Sequence, residues 1–124
     1  MAGTLNPKQY SRPVTYYKKL ATTVMTAMYE VPQSYSSYLQ CVHVCNEGTS
    51  SVNFTMELVD AAPSQTLSIY KNVIIQGKGY LTVDTLHLYL SPGDILQVKA
   101  ETADKLSVSL SFDEQYDPNT THSI

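Results

Sequence analysis

LHLYLSPGDILQVKAETADKLSVSLSF, residues 86–112, dictates its own local geometry. Pro92 pre-sets φ for the first central position of a turn, and Gly93 tolerates the positive φ that the second position of a type II turn requires. After that turn Leu96, Val98 and Ala100 alternate with Gln97, Lys99 and Glu101. After the polar break Thr102-Ala103-Asp104, Leu106, Val108, Leu110 and Phe112 alternate with Ser107, Ser109 and Ser111. A period of two with one apolar face marks a half-buried antiparallel strand. Three successive strands of a meander or Greek key are predicted here, and their apolar faces require a second sheet as cover.

The preceding residues supply that sheet. Val14 to Val31 is rich in β-branched and aromatic residues and predicts one or two strands ending at Pro32, which blocks a ladder bond and marks an edge or an exit. After Gln33-Ser34 comes a long strand, SYLQCVHVCN, whose phase is ambiguous because both faces carry apolar groups, as in a central or bulged strand. Val52, Phe54, Met56 and Leu58 then alternate with Asn53, Thr55 and Glu57. Leu67 and Ile69 alternate with Ser68 and Tyr70, Val73-Ile74-Ile75 predicts a short buried run, and Gly77-Lys78-Gly79 breaks the chain before Tyr80–Val83. Eight or nine short strands with turn signals every eight to twelve residues and no amphipathic helix describe a single antiparallel β-sandwich, immunoglobulin-like or jelly-roll.

At 124 residues the chain is one domain, large enough to bury a core without metals or disulfides. No apolar run is long enough to cross a bilayer, and MAGTLNPKQY lacks the apolar core of a secretion signal, which predicts a protein made and kept in a cytoplasm or freed by lysis. The two cysteines, Cys41 and Cys45, are four residues apart on a strand, roughly 13 Å at about 3.3 Å per residue, too far to bridge. Residues 1–29 hold Lys8, Arg12, Lys18 and Lys19 and no acid, a formal +4; the remainder sets eleven acids against four lysines, a formal −7, for the net −3. A basic arm on an acidic body fits docking on an acidic neighbouring subunit better than binding a polyanion, which the body would repel. Residues 1–21 are therefore expected to be an extended basic arm, 22–113 the sandwich and 114–124 a polar C-terminal tail. The arm residues expected at an interface are Lys8, Tyr10, Arg12, Tyr16, Tyr17, Lys18 and Lys19; ten tyrosines against two phenylalanines and no tryptophan favour surfaces buried in a complex but wet beforehand.

Reaction chemistry is sparse. Cys41, His43 and Cys45 share a strand face, but no second Cys or His pair is spaced to complete a zinc site. His43, His87 and His122 are not accompanied by a nucleophile elbow. Gly77-Lys78-Gly79 lacks the spacing and the Lys-Ser/Thr of a phosphate loop and predicts a tight turn. The acid pair Asp113-Glu114 at a strand end is expected to be solvated rather than a catalytic dyad. The sequons at Asn53 and Asn119 carry no weight without secretion. No enzyme activity, cofactor or metal is expected.

Tyr29-Glu30-Val31-Pro32, a strand closing in Val44-Cys45-Asn46, the strand Val52–Leu58, and Leu88-Tyr89-Leu90-Ser91-Pro92-Gly93-Asp94 followed by Leu96 and Val98 come in an order and spacing that resembles a small β-sandwich structural protein of tailed-bacteriophage virions. The likeness covers residues 22–113 and leaves the arm without a counterpart. It implies a non-enzymatic accessory part of a tail, neck, fibre or capsid surface, located in the virion, whose partners are other virion proteins and copies of itself, with no nucleic acid or membrane. A chain without residues 2–20 would then stay folded but fail to enter its assembly. The alternative is a carbohydrate- or receptor-binding module whose loops, 60–64 and 77–84, grip a ligand through Lys78 and Tyr80.

Overall fold

Strands with one apolar face can only be stable in pairs of sheets, and the chain builds two. A computed structural model describes residues 11–61 and 64–116. Among the described residues there are nine strands and no helix: β1 (Ser11–Lys19), β2 (Thr26–Glu30), β3 (Tyr35–Asn46), β4 (Val52–Val59), β5 (Thr66–Ile75), β6 (Tyr80–Val83), β7 (Leu88–Leu90), β8 (Ile95–Ala100) and β9 (Leu106–Tyr116). One sheet runs β1-β9-β3-β6, with β7 also on β3; the other runs β2-β8-β4-β5. All pairings are antiparallel. Only β4 and β5 form a hairpin within one sheet. β6 and β7 line the same edge of β3, and every other connection crosses between sheets, which is jelly-roll topology. This separates the two sandwich alternatives in favour of the jelly roll.

The organising stretch behaves as its residues dictate locally. Ser91-Pro92-Gly93-Asp94 is a type II turn, with Gly93 at φ 88° and the Asp94 N–H donating to Ser91 O at 3.0 Å. The strands on either side, however, do not pair with each other: β7 and β9 lie in the five-stranded sheet and β8 in the other. The three strands are thus a corner and a return across the sandwich, not a meander.

Leu106, Val108, Leu110 and Phe112 of β9 face Val98, Leu96, Phe54, Met56 and Leu58 of the opposite sheet in one core. In β3 the ambiguous phase resolves into a bulge. Leu39 opposes Phe112 and Cys41 opposes Ser111, so Gln40 is the extra residue. Before it Ser37 and Leu39 point inward; after it Val42, Val44 and Asn46 do. β5 is one strand from Thr66 to Ile75, and Ile74, expected within a buried run, is 61% exposed.

The segment expected as an arm differs most. From Ser11 to Lys19 it is β1, paired with β9 over nine consecutive residues from Ser11↔Gln115 to Lys19↔Ser107. Leu20 is buried in the core, and its backbone bonds Leu106 and Asp104. The sandwich thus begins before residue 22, because an edge strand needs only one partner and little alternation of its own. It also extends past 113: β9 runs to Tyr116. Lys8 and Tyr10, His122 and Asn119 lie outside the described residues.

Candidate functional site

Register places two sets of side chains on β1. Arg12, Val14, Tyr16 and Lys18 oppose Glu114, Phe112, Leu110 and Val108, the inward-facing residues of β9. Ser11, Pro13, Thr15, Tyr17 and Lys19 share the outward face with Asp113, Ser111, Ser109 and Ser107.

The inward set anchors the strand. Glu114 is fully buried, so its charge requires partners. Arg12 Nε donates to its Oε1 at 2.7 Å, and Tyr29 Oη lies 2.6 Å from its Oε2. Tyr29 Oη is also 2.9 Å from Ser37 Oγ. A phenol has one proton; the carboxylate can only accept, so Tyr29 donates to Glu114 and the Ser37 hydroxyl donates to Tyr29. Burial, reinforced by the Glu114 bond, pushes the Tyr29 phenol well above its ordinary value. The Tyr29 ring stacks on Phe112 with centroids 3.8 Å apart, Tyr16 leans on Tyr29 at 5.2 Å, and the Arg12 guanidinium sits 4.3 Å from the centre of the Tyr35 ring. The expectation that Asp113-Glu114 is a solvated pair is therefore corrected at Glu114. The alternation Leu106-Val108-Leu110-Phe112 continues in phase to residue 114, and this was the signal in the sequence that the inward position is occupied by an acid.

The outward set belongs to a broad, nearly uncharged face. Across the sheet the register gives the row Tyr17–Ser109–His43–Thr82 and, beside it, Lys19–Ser107–Cys45–Tyr80. His43 Nδ1 is 2.6 Å from Thr82 Oγ1, which fixes the imidazole, and Nε2 makes no hydrogen bond among the described residues. Tyr17 and Tyr80 are 78% and 71% exposed. Farther along, Tyr38 hydrogen-bonds His87 Nδ1 through its hydroxyl, and its ring stands 4.6 Å from that of exposed Tyr89. Tyr38, His87 and Tyr89 were not among the expected contact residues; Tyr38 and Tyr89 on strands and His87 just before β7 differ little from satisfied sheet residues until the sheet order sets them side by side.

The charges on β1 meet acids of the same chain. Besides Arg12–Glu114, Lys19 Nζ lies 3.2 Å from Glu47 Oε1, and Ser107 Oγ donates to Glu47 Oε2 at 2.8 Å. The Ser107 hydrogen bond, and then Lys19, hold the Glu47 carboxyl below its usual range. Lys78 does not stand free for a ligand. At φ 59° in the turn after Gly77, it donates through Nζ to Glu47 O at 3.0 Å. Gly77 has no alternative there, since a Cβ would lie 2.2 Å from Thr49 O. Tyr80 is exposed, 5.8 Å from His43, and belongs to the sheet face rather than to a loop. Cys41 and Cys45 are free thiols, and among the described residues no three His, Cys, Asp or Glu side chains converge as metal ligands.

No protein-family model and no curated protein sequence matches the chain. Solved structures do. A chain of the acidic stable capsid structure of Helicobacter pylori bacteriophage KHP30 superposes with a TM-score of 0.53 at 12% identity, covering 87% of this chain and 88% of that one. The structure of infectious bursal disease virus Gx strain gives 0.53 at 9% identity, over 86% of this chain and 32% of the longer one. The cyanophage Pam1 capsid asymmetric unit is more distant, at 0.48 and 10% identity over 86% of each chain. The first two likenesses establish the fold. It is a jelly-roll β-sandwich shared with viral capsid chains.

Proposed function

We propose that this chain is a non-enzymatic structural component of a virus particle, a jelly-roll unit that packs against copies of itself and other virion proteins. The observation that carries the reading is the jelly-roll sheet order, found also in a bacteriophage capsid chain of nearly the same extent, 88% of which is covered. The surface supports it: a wide face with few charges and several exposed tyrosines suits contacts that form on assembly. Within that reading we favour an accessory position at a tail, neck, fibre or capsid surface, in a particle assembled in the host cytoplasm. Anchoring falls to the N-terminal segment, where Arg12 and Lys19 are engaged by Glu114 and Glu47 and Tyr17 and Lys18 are left to reach a neighbour.

The test is the particle. Mass spectrometry of virions banded on a density gradient should recover this chain in a fixed ratio to the other structural proteins, and electron microscopy with an antibody to the full chain should place it. Size-exclusion chromatography with light scattering on the full chain should show self-association as its concentration rises. A chain absent from purified particles refutes the reading.

A further inference from the structure

The row Tyr17–Ser109–His43 encloses a trough. Its volume is about 440 Å³; Tyr17 with its neighbours Lys18 and Lys19 lines it on the β1 side, His43 and Cys45 on the β3 side, and β9 supplies the floor with Ser107, Val108 and Ser109. The dimension follows from the sheet. Tyr17 and His43 are two strands apart, so their backbones are about 9.6 Å apart at the usual 4.8 Å per strand. Flat contact needs about 3.5–4.0 Å on each face of an inserted ring, or roughly 7–8 Å between the walls. One ring of non-hydrogen atoms fits between tyrosine and imidazole, and it fits only because the middle residue is serine. The imidazole is held by Thr82, so this wall is preorganised.

The floor decides the chemistry of that ring. Ser107 is bonded to Glu47, whereas the Ser109 hydroxyl has no hydrogen-bond partner among the described residues. A purely apolar ring would cover Ser109 and leave it unsatisfied, at a cost comparable to a lost hydrogen bond. A ring with C–H faces and hydroxyls at its edge stacks on both walls and bonds Ser109 and His43 Nε2. No acid lines the trough; of the two lysines that do, Lys19 is paired with Glu47, and the Lys18 side chain belongs by register to the inward set of β1, so no free charge faces the slot between Tyr17 and His43.

We propose that this trough is a binding site for one pyranose ring of a neutral glycan, clamped between Tyr17 and His43 above Ser109. The site shares Tyr17 with the face offered to neighbours, so in a particle it is open on copies whose Tyr17 no neighbour covers; its chemistry does not depend on the assembly role. Its volume falls within the range of about 300–1,000 Å³ typical of small-ligand pockets.

The experiment is an amide-shift titration of the full chain with the methyl glycosides of glucose, galactose, mannose and N-acetylglucosamine, alongside N-acetyltyrosinamide. At least one glycoside should move the amides of Tyr17, His43 and Ser109 with millimolar affinity. Tyr17→Ala should weaken binding about tenfold by removing a stacking wall, and Ser109→Tyr, which fills the slot from a half-buried position on the outward face of β9, should abolish it while the chain still unfolds in one cooperative transition. If Ser109→Tyr fails to fold, Tyr17→Ala alone decides. Silence across the four glycosides overturns the proposal, as does binding that survives the variants. A response to N-acetyltyrosinamide equal to the best glycoside also overturns it and makes the trough a socket for a protein side chain. Incorporation of Ser109→Tyr into particles is read separately, so a failed sugar site leaves the structural role standing.

Discussion

Replacing Tyr29 by phenylalanine removes one oxygen and leaves the ring stacked on Phe112 at 3.8 Å. What is lost is the 2.6 Å bond to the buried Glu114 carboxylate and the acceptor for Ser37. A hydrogen bond to a charged group contributes about 1.5–3 kcal/mol, and a buried hydroxyl left unpaired adds to the loss. Glu114 keeps Arg12, and Ser37 is free to rotate its proton, so we expect a total of about 2–3 kcal/mol rather than the sum of the extremes. For a chain of 124 residues that is a fall in melting temperature of roughly 6–12 °C. The same oxygen makes a second, opposite prediction with pH. The folded-state pKa of Tyr29 is raised above the ordinary value of 10.0, so its stabilisation is complete below about pH 10 and is lost as pH rises toward the folded value. Urea unfolding of the natural chain and of Tyr29→Phe should therefore differ most at neutral pH. The gap should close above pH 10 by at most about 1.4 kcal/mol per pH unit, the limit for one proton. A difference below about 0.5 kcal/mol at pH 7, or one that widens in alkali, would refute the assignment of the Glu114 carboxylate as a charged acceptor held by Tyr29.

A chain beginning at Thr22 loses β1 and the buried Leu20; the latter alone costs about 2–5 kcal/mol, so calorimetry should show a strongly lowered or lost transition instead of the intact domain expected of a dispensable arm. Asp94→Ala removes the carboxylate that accepts from the Ala61 and Ser91 N–H groups at 3.0 and 2.9 Å, and urea unfolding should read a loss of about 2–4 kcal/mol as the turn at Gly93 and the end of β4 come apart. At Glu47 the folded-state pKa is lowered, so its contribution is present above the usual carboxylate range and disappears as pH falls through the lowered value; Glu47→Gln should flatten the acid limb of the stability profile and leave the alkaline limb alone.

Alternation made β4, β8 and β9 legible, because each buries one face against the opposite sheet and keeps the other wet. It failed at β1 for a physical reason: Arg12, Tyr16 and Lys18 occupy the inward positions, yet at the margin of the sandwich they stay exposed, so neither face is uniformly apolar. It failed at Glu114 because the residue that makes burial tolerable, Arg12, is 102 positions away in the chain. It was ambiguous at β3 because one inserted residue, Gln40, exchanges the two faces midway. Sheet membership was not legible at all: the alternation of β8 and β9 is the same whether consecutive strands pair or face each other across the core. The trough shares this limit. Tyr17, Ser109 and His43 are distant in sequence, and only the order β1-β9-β3 puts a small side chain between two flat ones.

Sheet edges bear on how such a unit assembles. An open edge of regular strand would pair with any neighbour, and each of the four edges here carries a feature that opposes it. β2 has an extra residue at Met28, where Ala27 opposes Gln97 and Tyr29 opposes Leu96. β5 has two bulges in succession, opposite Thr55 and between Met56 and Glu57, with Asn72 forced to φ 52°. The edge made by β6 and β7 is broken between Val83 and Leu88. β1 is the one regular edge, nine residues without a shift, and it carries Pro13, which has no N–H to donate, and the charged pair Lys18-Lys19 at its end. Growth of the sheets from copy to copy is thereby disfavoured on every side. What is left for specific contact is the face of the five-stranded sheet, where exposed Tyr17, Tyr80 and Tyr89 offer area without charge. On the assembly reading proposed above, such a unit would join its neighbours through the faces of its sheets, whose side chains specify a partner, rather than through backbone ladders, which any strand can complete.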